Sequence, residues 1–197
     1  MTHTPPLKAQ APSGLKFTVK DITMAGMTAA LLAVISQISL PMPSGVPITI
    51  QVFGVALIGS VLGPKLSFVS VLTYVLLGGA GLPIFSSFHG GLGVLAGVTG
   101  GYIWGWLFMA PLCGIHLKKT SSFLSNILFI LFGLLGLMLD ELAGGLQWAF
   151  LSETMSLGAI LIYSATAFIP KDIVLTILGL LLGKQVRKTL VRSGILS

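Results

Sequence analysis

The stretch FLSNILFILFGLLGLMLDELAGGLQWAFL, residues 123–151, decides the class of fold. It carries two charged side chains, Asp140 and Glu141, in an otherwise apolar run. A bilayer core is about 30 Å thick and is crossed by about 20 apolar residues of helix, so this run reads as a membrane-spanning helix. Working outward, apolar runs of the same kind occupy residues 22–40, 48–62, 66–82 and about 94–117 before it, and 157–183 after it. Breakers separate them: Pro41, Pro43, Gly45 and Pro47; Gly63-Pro64-Lys65; Pro83 with a glycine-rich stretch over 84–101; and Lys118-Lys119 followed by Thr120, Ser121 and Ser122. The expectation is an all-α integral membrane protein with six transmembrane helices. Residues 1–21 form a polar tail, 22–184 the membrane domain, and 185–197 a basic tail. The first apolar run is too long for the core of a cleaved signal peptide.

Composition agrees. Apolar residues make up 54% of the 197 and charged residues 8%, against about 25% charged in soluble domains. So little charge leaves a soluble surface uncovered, whereas lipid-facing positions require none. The 25 glycines and 10 prolines fit as well, since both are commoner in transmembrane helices than in soluble ones. The net charge of +6 does not point to nucleic acid, because no basic stripe interleaves with aromatics. Lys8, Lys16, Lys20, Lys65, Lys118, Lys119, Lys184, Arg187, Lys188 and Arg192 all fall on one side of a six-helix arrangement. Positive residues mark the cytoplasmic face, so both termini are expected there. The single cysteine, Cys113, forms no internal disulfide and reads as a small core residue.

The remaining basic residue, Lys171, lies inside the last apolar run between Pro170 and Asp172. A charge at the bilayer centre costs at least about 2.5–3.5 kcal/mol and so faces a protein interior or a wet cavity. Neighbouring positions on a regular helix point about 100° apart, so each charge is expected to meet something other than its neighbour, such as polar ligand groups. Asp140 and Glu141 are open to several readings: lining the same cavity, pairing with Lys171, or lying at the outer interface. The glycines of Gly90-Gly91-Leu92-Gly93 and Thr99-Gly100-Gly101-Tyr102 let backbone approach a ligand closely. Thr49 and Gln51 open the second run at the same depth. Ala25, Ala29 and Ala33 put small side chains on one face of the first helix, a spacing suited to close helix contact. No nucleotide-binding loop, metal-ligand spacing or nucleophile–base arrangement is present. The chain is therefore expected to be neither an enzyme nor a cofactor or metal protein.

Val46-Pro-Ile-Thr-Ile-Gln-Val-Phe-Gly54, Leu62-Gly-Pro-Lys65, Tyr74-Val-Leu-Leu-Gly78, Gly81-Leu-Pro-Ile-Phe85, Gly90-Gly-Leu-Gly-Val-Leu95, Thr99-Gly-Gly-Tyr102 and Phe168-Ile-Pro-Lys-Asp172 together resemble the BioY family. These are the biotin-binding membrane subunits (S components) of energy-coupling factor (ECF) transporters. The resemblance spans nearly all six runs, in order. It implies high-affinity capture of biotin in a bacterial cytoplasmic membrane. It also implies association with a membrane coupling subunit and two cytoplasmic ATPases that use the ATP. The implied ligand residues are Asp172 for the ureido N–H groups and Lys171 for the carboxylate. Gln51, Thr49 and the backbone of Gly90, Gly91 and Gly93 would serve other polar atoms, and Phe85, Tyr102 and Trp148 would cover ring and chain. Ala25, Ala29 and Ala33 match the family's docking surface. The sequence departs from the family at Lys171, where a small residue is usual, and at Leu175, where a lysine is usual. Alternatives are an S component for another vitamin and a membrane-embedded lipid-modifying enzyme.

Overall fold

The computed structural model describes residues 17–117, 122–153 and 155–196. Most of the N-terminal tail, with Lys8 and Lys16, and the loop lysines Lys118 and Lys119 lie outside them. The first helix, α1 (Val19–Ile35), starts earlier than its apolar run because Thr18 and Asp21 form a capping box: the Thr18 hydroxyl accepts from the Asp21 N–H, and the Asp21 carboxylate accepts from the Thr18 N–H. It also stops earlier. Residues 36–38 turn, and Ser39–Leu40 (β1) pairs antiparallel with Ile48–Thr49 (β2). The breaker-rich segment 41–47 is thus a hairpin connection, and the second run begins as strand before becoming α2 (Gln51–Leu62).

Helix α3 (Pro64–Gly79) follows α2 after the single residue Gly63 (φ +80°), with Pro64 in its first turn, where its missing N–H costs nothing. The expected fourth run is divided. A five-residue α4 (Leu92–Ala96) precedes α5 (Gly100–Cys113), and the turn between them is tied to the next helix by Gln147, whose amide donates to Leu95 O (2.9 Å) and Gly97 O (2.8 Å). Helix α6 (Ser122–Leu151) carries the apolar run 123–151. The last run is one continuous helix in three parts: α7 (Leu157–Tyr163), a π-helical turn over Ser164–Phe168, and α8 (Ile169–Arg192). It passes through the expected boundary at residue 184 and makes most of the basic tail helical.

Helices α6 and α7–α8, with apolar spans of 29 and 36 residues, are long and apolar enough to cross a membrane. The apolar helices α2 and α3 have 12 and 16 residues. At 1.5 Å per residue, α2 is about 18 Å long, well short of a bilayer core. It is instead the central helix, buried along nearly all of its length. Glycines allow its neighbours to come close. A Cβ at Gly179 or Gly183 of α8 would strike α2 backbone, and one at Gly59 of α2 would strike Ala110 of α5. Ser60 of α2 donates to Leu180 O of α8 at 3.0 Å.

The small residues of α1 face the same interior. Ala25 and Ala29 are 3% and 5% exposed within the core, and Ala33 packs partly buried against it. The expectation from the sequence is that they form a docking surface; Ala25 and Ala29 face inward here, and Ala33 is only partly covered. Their size lets α1 lie against α3, where Thr28 and Ser70 share a hydrogen bond of 2.8 Å. The outward face of α1 carries Ile22, Gly26, Met27, Ala30, Leu31 and Val34.

The bundle has two chemically different ends. At one, Arg187 donates to Val61 O at 2.7 Å, beside the Gly63 turn and the end of α5, and Lys65, Lys184, Lys188 and Arg192 lie nearby in the chain. At the other, Gln37 donates to Ile84 O and Phe85 O, both at 3.2 Å, and accepts from the Phe88 N–H at 2.9 Å, while Ser39 meets Ser87. These bonds hold Ser87 and Phe88 at φ of +55° and +58°, a left-handed backbone that costs energy in residues other than glycine.

Candidate functional site

At the hairpin end, β2, α2, α5, α6 and α8 enclose a cavity of about 540 Å³, counting the part open to solvent. Each wall is placed by an identifiable local cause. Pro170 has no N–H to return to Thr166 O, and proline inside a helix breaks that bond. The π-helical turn immediately before it absorbs the defect, a feature frequent at functional sites. The widened turn directs Phe168, Lys171 and Asp172 into the cavity. On the facing side, the hairpin delivers Val46, Pro47 and Thr49, and Gln51 opens α2.

The wall made by α5 and α6 is a glycine seam. Gly101 sits against Ala143 and Gly144, Gly105 against Asp140, and Gly136 against Met109, each too close for a side chain in its place without displacement. The seam puts Tyr102, Trp106, Asp140 and Glu141 on the cavity wall. Tyr102 crosses Phe168 edge-on at 6.3 Å, and its hydroxyl is 3.5 Å from Ser164 Oγ. Phe168 is supported from behind by Tyr163 and Trp148.

Lys171 and Asp172 do find each other, which corrects the expectation from regular helix geometry. Lys171 Nζ lies 2.6 Å from Asp172 Oδ1 and donates to Thr49 O at 3.2 Å. The long, flexible lysine stem beside a non-α turn makes this possible between adjacent residues. The ammonium end is the wetter partner, with the lysine side chain 28% exposed and the aspartate 5%. Glu141 interacts electrostatically with both. Within the described residues, three carboxyl groups and one ammonium therefore face one cavity.

The other expected site residues divide. Thr49, Gln51 and Tyr102 line the cavity with Lys171 and Asp172. Phe85 does not: it is 1% exposed, edge-on to Tyr74 at 5.5 Å, and fills the space left by Gly78. Gly90 is held against Leu82 O, and the Gly91 N–H donates to Gly78 O at 2.7 Å, so that N–H is already engaged within the fold. Gly93 lines an adjoining pocket of about 740 Å³ that shares Pro47, Ser86 and Thr99 with the main cavity. Trp148 is 2% exposed in a small cluster with Val46, Ile160 and Phe168 and backs the wall without lining it. Sequence reasoning missed Trp106 and Phe168 as lining residues and left Asp140 and Glu141 open. The available signal for the acids was their occurrence, like Lys171, inside an apolar run.

The chain matches the BioY family over residues 8–192. It is 36% identical over 155 residues to a probable biotin transporter BioY of Pyrococcus horikoshii, covering 79% of this chain and 88% of that one. It is 33% identical over 177 residues to the biotin transporter BioY2 of Lactococcus lactis subsp. cremoris, covering 86% and 93%. A crystal structure of the S-component for biotin from an ECF-type ABC transporter superposes with a TM-score of 0.73 at 31% identity, covering 86% of this chain and 92% of that one.

Proposed function

The chain belongs to the BioY family, and from that premise we propose that it captures biotin and serves its uptake as the substrate-binding subunit of an ECF-type transporter. The observation that carries this reading is the cavity at the hairpin end, with an apolar wall of Tyr102, Trp106 and Phe168 and a few polar groups converging on it. That is the usual composition of a small-molecule site. Biotin has an apolar bicycle and chain, a ureido group and a terminal carboxylate. Lys171, the more exposed partner of the ion pair, meets the carboxylate near the mouth. Asp172 accepts from one ureido N–H as a charge-assisted acceptor, and Thr49 and Gln51 complete the rim.

Six helical stretches cross the cytoplasmic membrane in this reading: α1, α2 with its hairpin, α3, α5, α6 and α7–α8. Both termini and the basic end face the cytoplasm, as basic residues favour, and the cavity opens outward. The partners are a membrane coupling subunit and two cytoplasmic ATPases, which carry the catalysis, and this chain is a binding subunit. With Ala25 and Ala29 buried, the face of α1 offered to the coupling subunit is the outward one around Gly26 and Ala30.

Calorimetric titration of the purified protein with biotin tests the reading. A nanomolar dissociation constant, undisturbed by riboflavin or thiamine and competed by desthiobiotin, is expected. Absence of binding by folded protein, or preference for another vitamin, overturns it.

A further inference from the structure

Three side chains in the wall of the cavity carry buried polar atoms with no hydrogen-bond partner, Glu141 through one oxygen only. Both oxygens of the Asp140 carboxyl are buried without one, and so is the indole N–H of Trp106. Asp140 is 1% exposed and Trp106 3%, and both line the cavity. They come from adjacent helices, α6 and α5, and the indole N–H is directed at the Asp140 carboxyl without reaching hydrogen-bond geometry. Unpaired buried groups of this kind are costly, more so when charged, so a native fold rarely leaves two side by side.

The fold also makes room for them. Gly105 precedes Trp106 and packs directly on Asp140, where a Cβ would overlap the carboxyl. The aspartate is accommodated by a matching absence of side chain on the opposite helix. It is also not needed to neutralise Lys171, which Asp172 already pairs at 2.6 Å. One acceptor and one donor are therefore set next to each other at the cavity wall without a well-formed hydrogen bond inside the fold.

We propose that Asp140 and the Trp106 indole form a second polar contact deep in the pocket, fitted to the adjacent N–H and C=O of a cyclic urea. The ligand N–H donates to Asp140, and the Trp106 N–H donates to the ligand carbonyl oxygen. The proposal rests on the biotin reading and deepens it. With one ureido N–H on Asp172, the other N–H and the carbonyl fall to this pair. All three polar atoms of the ureido group are then paired, with the ring buried and the carboxylate at the Lys171 end.

The test is a titration of wild type, Asp140→Asn, Trp106→Phe and Asp172→Asn with biotin, desthiobiotin and 2-iminobiotin, alongside thermal unfolding of each. Desthiobiotin keeps the urea. 2-Iminobiotin, whose cyclic guanidine is protonated near neutral pH, replaces the carbonyl acceptor with an N–H donor that has no lone pair to offer. Loss of a bond to a buried group weakens biotin and desthiobiotin alike by about tenfold or more in both Asp140→Asn and Trp106→Phe. Trp106→Phe leaves 2-iminobiotin affinity unchanged, because that ligand offers the indole nothing to donate to. If wild type binds biotin and Asp172→Asn weakens it while folded Asp140→Asn and Trp106→Phe match wild type, the proposal is overturned and the biotin reading stands. Equal loss of all three ligands in Trp106→Phe, or failure of both variants to fold, assigns the pair a structural role and also overturns it. Wild type that binds none of the ligands removes the biotin reading itself.

Discussion

Lys171 and Asp172 form an ion pair between neighbours in sequence, 2.6 Å apart, at the wall of a cavity in an apolar bundle. Breaking a buried pair on one side is expensive because the remaining charge has no partner, about 3–5 kcal/mol when both groups are fully buried. Lys171 is partly exposed, so its cost is smaller. Asp172→Asn is expected to weaken biotin binding by about tenfold to a hundredfold, since it removes the charge-assisted acceptor, and calorimetry checks this. Lys171→Met is expected to lower biotin affinity while sparing biotin methyl ester, which has no carboxylate to lose. Equal loss for both ligands refutes the carboxylate assignment. These two positions were legible in the sequence because charge inside an apolar run is conspicuous. Their pairing was not, because it depends on a helix turn that is not α.

That turn belongs to the scale of elements. The π-helical segment over Ser164–Phe168 ends just before Pro170, and proline accounts for it through the missing N–H. Pro170→Ala restores the donor. The expected result is a regular helix with equal or higher thermal stability but weaker biotin binding, because Phe168, Lys171 and Asp172 rotate away from the cavity. Unchanged affinity shows that the turn does not set the site. The α5–α6 seam works in the opposite sense. Gly105→Ala places a methyl group on Asp140, and overpacking of this kind costs about 1–3 kcal/mol, so both thermal stability and affinity are expected to fall. On α1, the stripe Ala25, Ala29 and Ala33 was legible as a packing face, but which partner it packs against was not. The spacing is the same for an internal and an external contact. Gly26→Leu with Ala30→Leu is expected to reduce co-purification with the coupling subunit and leave biotin titration unchanged. Retention of the complex refutes that face as the docking surface.

At the scale of the whole molecule, the arrangement separates a basic end from a binding end. Among the described residues, Lys20, Lys65, Lys184, Arg187, Lys188 and Arg192 belong to one end and Lys171 to the other. The orientation is testable in a Cys113→Ala background, since Cys113 is buried and is the single cysteine of the chain. Lys20→Cys and Arg192→Cys are expected to resist a membrane-impermeant maleimide in intact cells, and Ser87→Cys to react with it. Labelling of Lys20→Cys or Arg192→Cys from outside overturns the shared cytoplasmic placement of the termini.

What the sequence determined by itself was the solvent and the division of the chain. Apolar runs broken by proline and glycine require helices in lipid, and the placement of basic residues between them follows from the cost of charge in a bilayer. Motif order carried the family, and lone charges marked Lys171 and Asp172. Only the tertiary structure decided which polar groups share a cavity. Phe85 and the Gly91 N–H became packing and internal hydrogen bonding, while Asp140, Trp106 and Phe168 became walls. The physical reason is that contacts between helices depend on rotation and depth. These are set by glycine seams and by one proline-induced turn, and hydrophobicity along the chain does not encode them.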